Sequence, residues 1–113
     1  MEQLTSPQEA DARIDADQPT WLLKHSTACP ISHGALAEFE RYIADYPDEP
    51  AAIVVIQRNR PVSHHVAERL GIRHESPQLF LVQNGAALWH ASHGGITAAA
   101  MARNRERVVS DGG

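Results

Sequence analysis

The sequence predicts an α/β domain, a four-stranded mixed β-sheet flanked by helices, with an extra short helix at the N-terminus. Three observations lead there. Two apolar runs, 20–25 and 51–57, bracket one amphipathic helical segment, which is the pattern of a βαβ crossover. Asn84-Gly85 sits between two apolar stretches and is the strongest hairpin signal in the chain. A last helical segment follows the Gly94-Gly95 break.

Each element has its own warrant. Ser6-Pro7-Gln8-Glu9 reads as a helix start, with Ser6 as cap, Pro7 in the first turn and Glu9 completing a capping box; this helix ends near 14–17. Thr20 to His25 suits a buried strand. From Pro30 to Tyr46 the apolar residues Ile31, Ala35, Phe39, Ile43 and Tyr46 recur at helical spacing, with Leu36 and Tyr42 alongside. Pro47 and Pro50 end that helix. The β-branched run from Ala51 to Gln57 suits a strand covered on both faces. Val62, Val66 and Leu70 mark one face of a helix over 61–70, and Gly71 stands just past its end. Residues 78–83 and 86–91 form the hairpin. Thr97 caps a helix running to about Val108. The order, βαβ then ββα after a short helix, is that of the thioredoxin architecture, and similar element strings occur in other small α/β folds.

The 113 residues make one domain, 1–113, with 1–5 and 110–113 expected to fray. The net charge of −4 resides in the first twenty residues, where five acids face Arg13 alone. The remainder balances and carries no basic patch of the kind that phosphate backbones require. Arg103, Arg105 and Arg107 read as a solvated helix end. No apolar stretch approaches the roughly 20 residues of a membrane span. The acidic N-terminus is unlike a secretory leader, and a single cysteine suits a reducing compartment, so the expected location is the cytoplasm.

That cysteine, Cys29, directly precedes a helix. A thiolate there meets unpaired backbone N–H groups and the positive end of the helix dipole, both of which lower the thiol pKa. The thiolate is the species that attacks a disulfide. Lys24, His25 and the helix-opening Pro30 are the expected thiolate-stabilising neighbours. Cys29 is the expected catalytic residue, and Ser32, three residues on, is expected to join it by hydrogen-bonding the thiolate from one helical turn away; an ordinary first-turn serine is an equal reading of the spacing. Ser76-Pro77 opens an apolar strand and fits a cis bond beside the thiol, although a trans proline at a strand start is the commoner case.

Seven histidines invite a metal reading. His25, Cys29 and His33 are evenly spaced, but His25 falls on a strand and His33 on a helix, so no zinc site is expected. His64 and His65 read as surface residues. His90 and His93 flank the turn before Gly94-Gly95, in reach of a ligand or simply polar loop residues. No Gly-x-Ser-x-Gly elbow and no phosphate-binding glycine loop is present.

Three blocks carry a resemblance. Lys24-His25-Ser26-Thr27-Ala28-Cys29-Pro30-Ile31-Ser32 resembles the thiol segment of the monothiol bacilliredoxins, members of the thioredoxin-like superfamily. Gly71-Ile72-Arg73-His74-Glu75-Ser76-Pro77-Gln78 is similar to that family's proline turn. Trp89-His90-Ala91-Ser92-His93-Gly94-Gly95-Ile96-Thr97 is similar to its hairpin-to-helix segment. The resemblance implies a thiol-disulfide oxidoreductase acting under oxidative stress. It would remove bacillithiol, a cysteine–glucosamine–malate thiol, from mixed disulfides on client proteins. Cys29 would attack the bacillithiol sulfur, and with serine at position 32 a second thiol or a flavoprotein reductase must resolve the adduct. Bacillithiol is then a co-substrate, with no tightly bound cofactor, no nucleic acid and no membrane partner. Ser76, Pro77, His93, Gly94, Gly95 and Thr97 would hold the thiol ligand. Gly94, Gly95 and Thr97 would offer N–H groups to its malate, with Lys24 as the matching charge. Two alternatives stand beside this. One is an iron–sulfur cluster carrier of monothiol-glutaredoxin type, against which Pro30 stands where cluster binders have glycine. The other is a redox-inert adaptor.

Overall fold

The computed structural model describes residues 1–112, with side chains over 1–109. The chain runs β1 (Glu2–Gln3), α1 (Pro7–Ile14), β2 (Thr20–His25), α2 (Pro30–Asp45) and β3 (Ala51–Val55). It continues through α3 (Arg60–Leu70), β4 (Gln78–Gln83) and β5 (Ala86–Ser92) to a 3-10 turn at His93–Gly95 and α4 (Ala98–Gly112). The strands form one mixed sheet in the order β1-β3-β2-β4-β5. β1 and β2 are parallel to β3, and β4 is antiparallel to both β2 and β5.

The sheet has five strands rather than the four expected. Residues 1–5, expected to fray, instead supply β1, with Glu2 opposite Ala52 and Leu4 N–H bonded to the Ile53 carbonyl at 2.9 Å. Leu4 is completely buried, which anchors a strand too short to show a periodicity. At the other end α4 outruns Val108 and reaches Gly112. Of the end expected to fray, 110–112 is helical and Gly113 lies outside the described residues.

Local chemistry explains the elements. Ser6 Oγ accepts the Glu9 N–H, and the Glu9 carboxylate accepts from Thr5, one residue earlier than a standard capping box. Asn84 and Gly85 both have positive φ, as a type I′ hairpin turn demands. Their N–H groups bond the Ala16 and Ile14 carbonyls, tying the hairpin to the end of α1.

Alternation along the strands builds two cores. Leu22, Val54 and Phe80 face Leu4, Ile14 and Val66 on the α1–α3 side. Trp21, Leu23 and Leu79 face Phe39, Tyr42 and Met101 on the α2–α4 side. The apolar stripe of α2 is rotated from the one expected. Ser32, Ala35, Phe39 and Tyr42 are buried, whereas Ile31 and Tyr46 are 53% and 46% exposed. Leu22 and Leu23 take opposite faces, so Lys24 falls on the α1–α3 side and His25 on the α2–α4 side.

Candidate functional site

Cys29 is the N-cap residue of α2, in extended conformation, with Pro30 in the first helical position. Its side chain is partly exposed. Ser32 and His33 N–H groups bond the Cys29 carbonyl at 3.1 and 3.3 Å. No side-chain cap closes on the neutral sulfur. The backbone N–H dipoles of Ser32, then of Ile31, favour the thiolate and hold the thiol pKa below that of a free cysteine; slight burial opposes them, and the Ser32 hydroxyl adds the smallest contribution. That hydroxyl is fully buried and, beside the neutral thiol, has no hydrogen-bond partner among the described residues.

The loop before the thiol is held from β3. The register pairs His25 with Val55 and carries Gln57 alongside residues 26–27. Gln57 donates to Ser26 Oγ at 2.6 Å and accepts from Thr27 N–H at 3.1 Å. His33 Nε2 lies 3.0 Å from the Thr27 carbonyl. Gln57 was not among the sequence candidates, because its role arises only once β2 and β3 are in register.

The proline turn reaches the same end of the sheet. Lys24 pairs with Gln78, so Pro77 stands level with His25, beside the loop that bears Cys29. The Ser76–Pro77 bond is cis. Gln78 pairs with Ser92, and His93 N–H donates to the Pro77 carbonyl at 3.2 Å. The hairpin thereby brings exposed His93, Gly94 and Gly95 to the edge of the turn. Among the described residues, three buried side-chain polar atoms have no hydrogen-bond partner: His25 Nδ1, Ser32 Oγ and Ser76 Oγ. All three belong to residues at this end of the sheet. A cavity of about 560 Å³ opens elsewhere, at the opposite end of the strands near Glu2, Arg13 and Pro50.

Two expected roles change. Lys24 is not the counter-ion of the thiolate or of a carboxylate beside it. Its side chain lies on the sheet face away from α2, its Nζ 3.1 Å from His74 Nδ1 and 5.8 Å from the Phe80 ring centre. His25 supplies no charge either. Burial, then the nearby His33, pushes its pKa below the usual value, so the ring is neutral at neutral pH. It packs edge-on against His33 with ring centres 5.3 Å apart. Thr97 caps α4, as its place in the sequence implies: its Oγ1 accepts from Ala100 N–H at 3.0 Å, while Glu38 takes Ala98 N–H at 3.0 Å. Among the described residues, no group of three or more His, Cys, Asp or Glu side chains is arranged to hold a metal ion.

Residues 2–101 match the sequence model of a family described as Monothiol bacilliredoxin BrxC. The chain is 30% identical to a protein of known structure described as a candidate oxidoreductase with a thioredoxin fold, each covered over 92% of its length, with a TM-score of 0.85. Thioredoxin from Trypanosoma brucei brucei shares the fold at 12% identity, with a TM-score of 0.79 over 96% of this chain and 89% of that one. Fasciola hepatica thioredoxin does so at 13% identity, with a TM-score of 0.70 over 97% and 98% of the two chains.

Proposed function

Because the chain belongs to the monothiol bacilliredoxin family, with the thioredoxin fold and a thiol redox role, we propose that Cys29 removes bacillithiol from mixed disulfides on client proteins. The observation that carries this reading is the partly exposed sulfur at the N-cap of α2, its anion favoured by the Ser32 and Ile31 N–H dipoles.

The Cys29 thiolate attacks the bacillithiol sulfur of the client disulfide. A Cys29–bacillithiol S–S bond forms, the client–bacillithiol bond breaks, and the electron pair leaves on the client sulfur, which then takes up a proton. Exposed Ile31 beside the thiol offers an apolar contact to the client chain. The Pro77 turn and the exposed His93-Gly94-Gly95 edge offer backbone groups to the small thiol. Ser32 forms no disulfide, so an external thiol must attack the Cys29 adduct. If that thiol is bacillithiol, the product is its disulfide, which a flavoprotein reductase returns to the thiol. A reducing cytoplasm is the setting this cycle implies.

The test is intact mass after incubation with bacillithiol disulfide or with glutathione disulfide. An adduct on Cys29 that forms faster with bacillithiol is expected. Equal, slow labelling by both, with Cys29 resisting alkylation at neutral pH, would overturn the assignment.

A further inference from the structure

The segment between α3 and β4 has no regular structure, yet three buried polar side chains from three elements converge on it. Lys24 of β2 and Ser63 of α3 are fully buried, and Gln78 of β4 is 1% exposed. Lys24 Nζ lies 3.1 Å from His74 Nδ1, and Ser63 Oγ lies 3.3 Å from the same atom. Gln78 grips both flanks of His74, donating to the Arg73 carbonyl at 3.0 Å and accepting from Glu75 N–H at 3.2 Å. His74 itself is exposed, whereas Lys24 is not. This segment leads straight into Ser76-Pro77.

An ammonium among Leu22, Val54 and Phe80 calls for a reason. An apolar residue would complete that core without desolvating a charge. Lys24 faces away from α2, so the thiol does not supply the reason. His74 does: it is the one partner the ammonium has among the described residues. We propose that Lys24, acting through His74, is a positioning residue that locks the 73–77 turn where the mixed disulfide meets Cys29. The proposal rests on the exchange reaction assigned above and names a residue outside its reacting atoms.

The hydrogen bond dictates a protonation state. An ammonium only donates, so Nδ1 must accept and the ring proton sits on Nε2. A proton added to Nδ1 would face the ammonium across the same 3.1 Å, and the lock would open. Lys24 of β2 and His64 and Arg60 of α3 all oppose that proton, and Glu75 in the turn itself favours it. Burial, then Lys24, holds the His74 pKa below its usual value, so the lock is closed at neutral pH and opens in acid.

The experiment uses a single-cysteine peptide carrying bacillithiol. Loss of one positioning hydrogen bond in Lys24→Met is expected to raise KM about tenfold with kcat little changed. The rate and pH profile of Cys29 alkylation by iodoacetamide should not move. His74→Asn keeps an acceptor at the δ position without a titrating proton. It should hold KM near that of the unaltered protein at neutral pH and abolish the rise in KM in acid. Hydrogen exchange of the Glu75 amide provides a readout independent of activity, and it should quicken about tenfold in Lys24→Met. An unchanged KM together with an unchanged Glu75 exchange rate overturns the proposal, as does a Lys24→Met defect that appears in the alkylation rate. Failure of the unaltered protein to react with the peptide overturns the exchange assignment instead. The Glu75 amide then still decides whether Lys24 locks the turn.

Discussion

Lys24→Met should make the protein more stable at neutral pH while impairing its proposed positioning role. Burial lowers the Lys24 pKa from 10.5 to about 8. A shift of about 2.5 units corresponds to roughly 3 kcal/mol held against the charged form. Against this, methionine gives up the bond to His74 Nδ1 and the approach of Nζ to the Phe80 ring. Together those contribute about 1–2 kcal/mol. The net expectation is a gain of about 1–2 kcal/mol at pH 7. The sign follows from linkage. The folded pKa lies below the unfolded one, so the penalty is complete below about 8 and fades as pH climbs towards 10.5, where both states are neutral. The unaltered protein therefore gains stability across that window, and the advantage of the variant closes. Urea unfolding of both proteins near neutral pH and near 10.5 measures the difference directly. A methionine variant that is less stable at neutral pH, or a difference that ignores pH, would refute the reasoning.

Three further outcomes are expected. Ser32→Ala removes a buried hydroxyl without a protein partner and should stabilise the fold by about 1 kcal/mol, raising Tm by several degrees. It should also raise the Cys29 pKa slightly; a fall in Tm would show that the hydroxyl is satisfied at rest. Leu4→Ala, at a fully buried site, should cost about 2–5 kcal/mol in urea unfolding, a loss that a frayed terminus would not show. Cys29 has a depressed folded pKa, so its contribution to stability is present above the unfolded pKa and is lost as pH falls through the folded one. The stability difference between the unaltered protein and Cys29→Ser should therefore shrink from alkaline to mildly acidic pH, and a difference that is constant with pH would contradict the thiolate assignment.

Much of the site was legible because its signals are local. A cysteine followed by proline at the head of an amphipathic run marks a helix cap, and cap geometry alone gives the thiol its N–H dipoles. The proline before an apolar strand and the Asn84-Gly85 turn are equally local. What could not be read was direction. Lys24 and His25 are adjacent in sequence and close to the thiol, yet strand alternation sends them to opposite faces of the sheet. One meets His74, fifty positions away, and the other lies neutral against His33. Gln57, Ser63 and Gln78 carry no motif, and their partners appear only when register and crossover are set. The buried stripe of α2 lies a fraction of a turn from the apolar one because Ser32, though polar, is buried while Ile31 stays outside.

By itself, then, the amino-acid order determined the element types, the hairpin, the crossover and the placing of the one cysteine at a helix cap, since propensity, capping and periodicity act over a few residues. Tertiary pairing alone decided that Leu4 anchors a fifth strand, that Lys24 and His25 part to opposite faces of the sheet, and that Lys24 meets His74 of the proline turn. Those outcomes depend on which backbone lies next to which, and on which face of a strand is left to bury a charge.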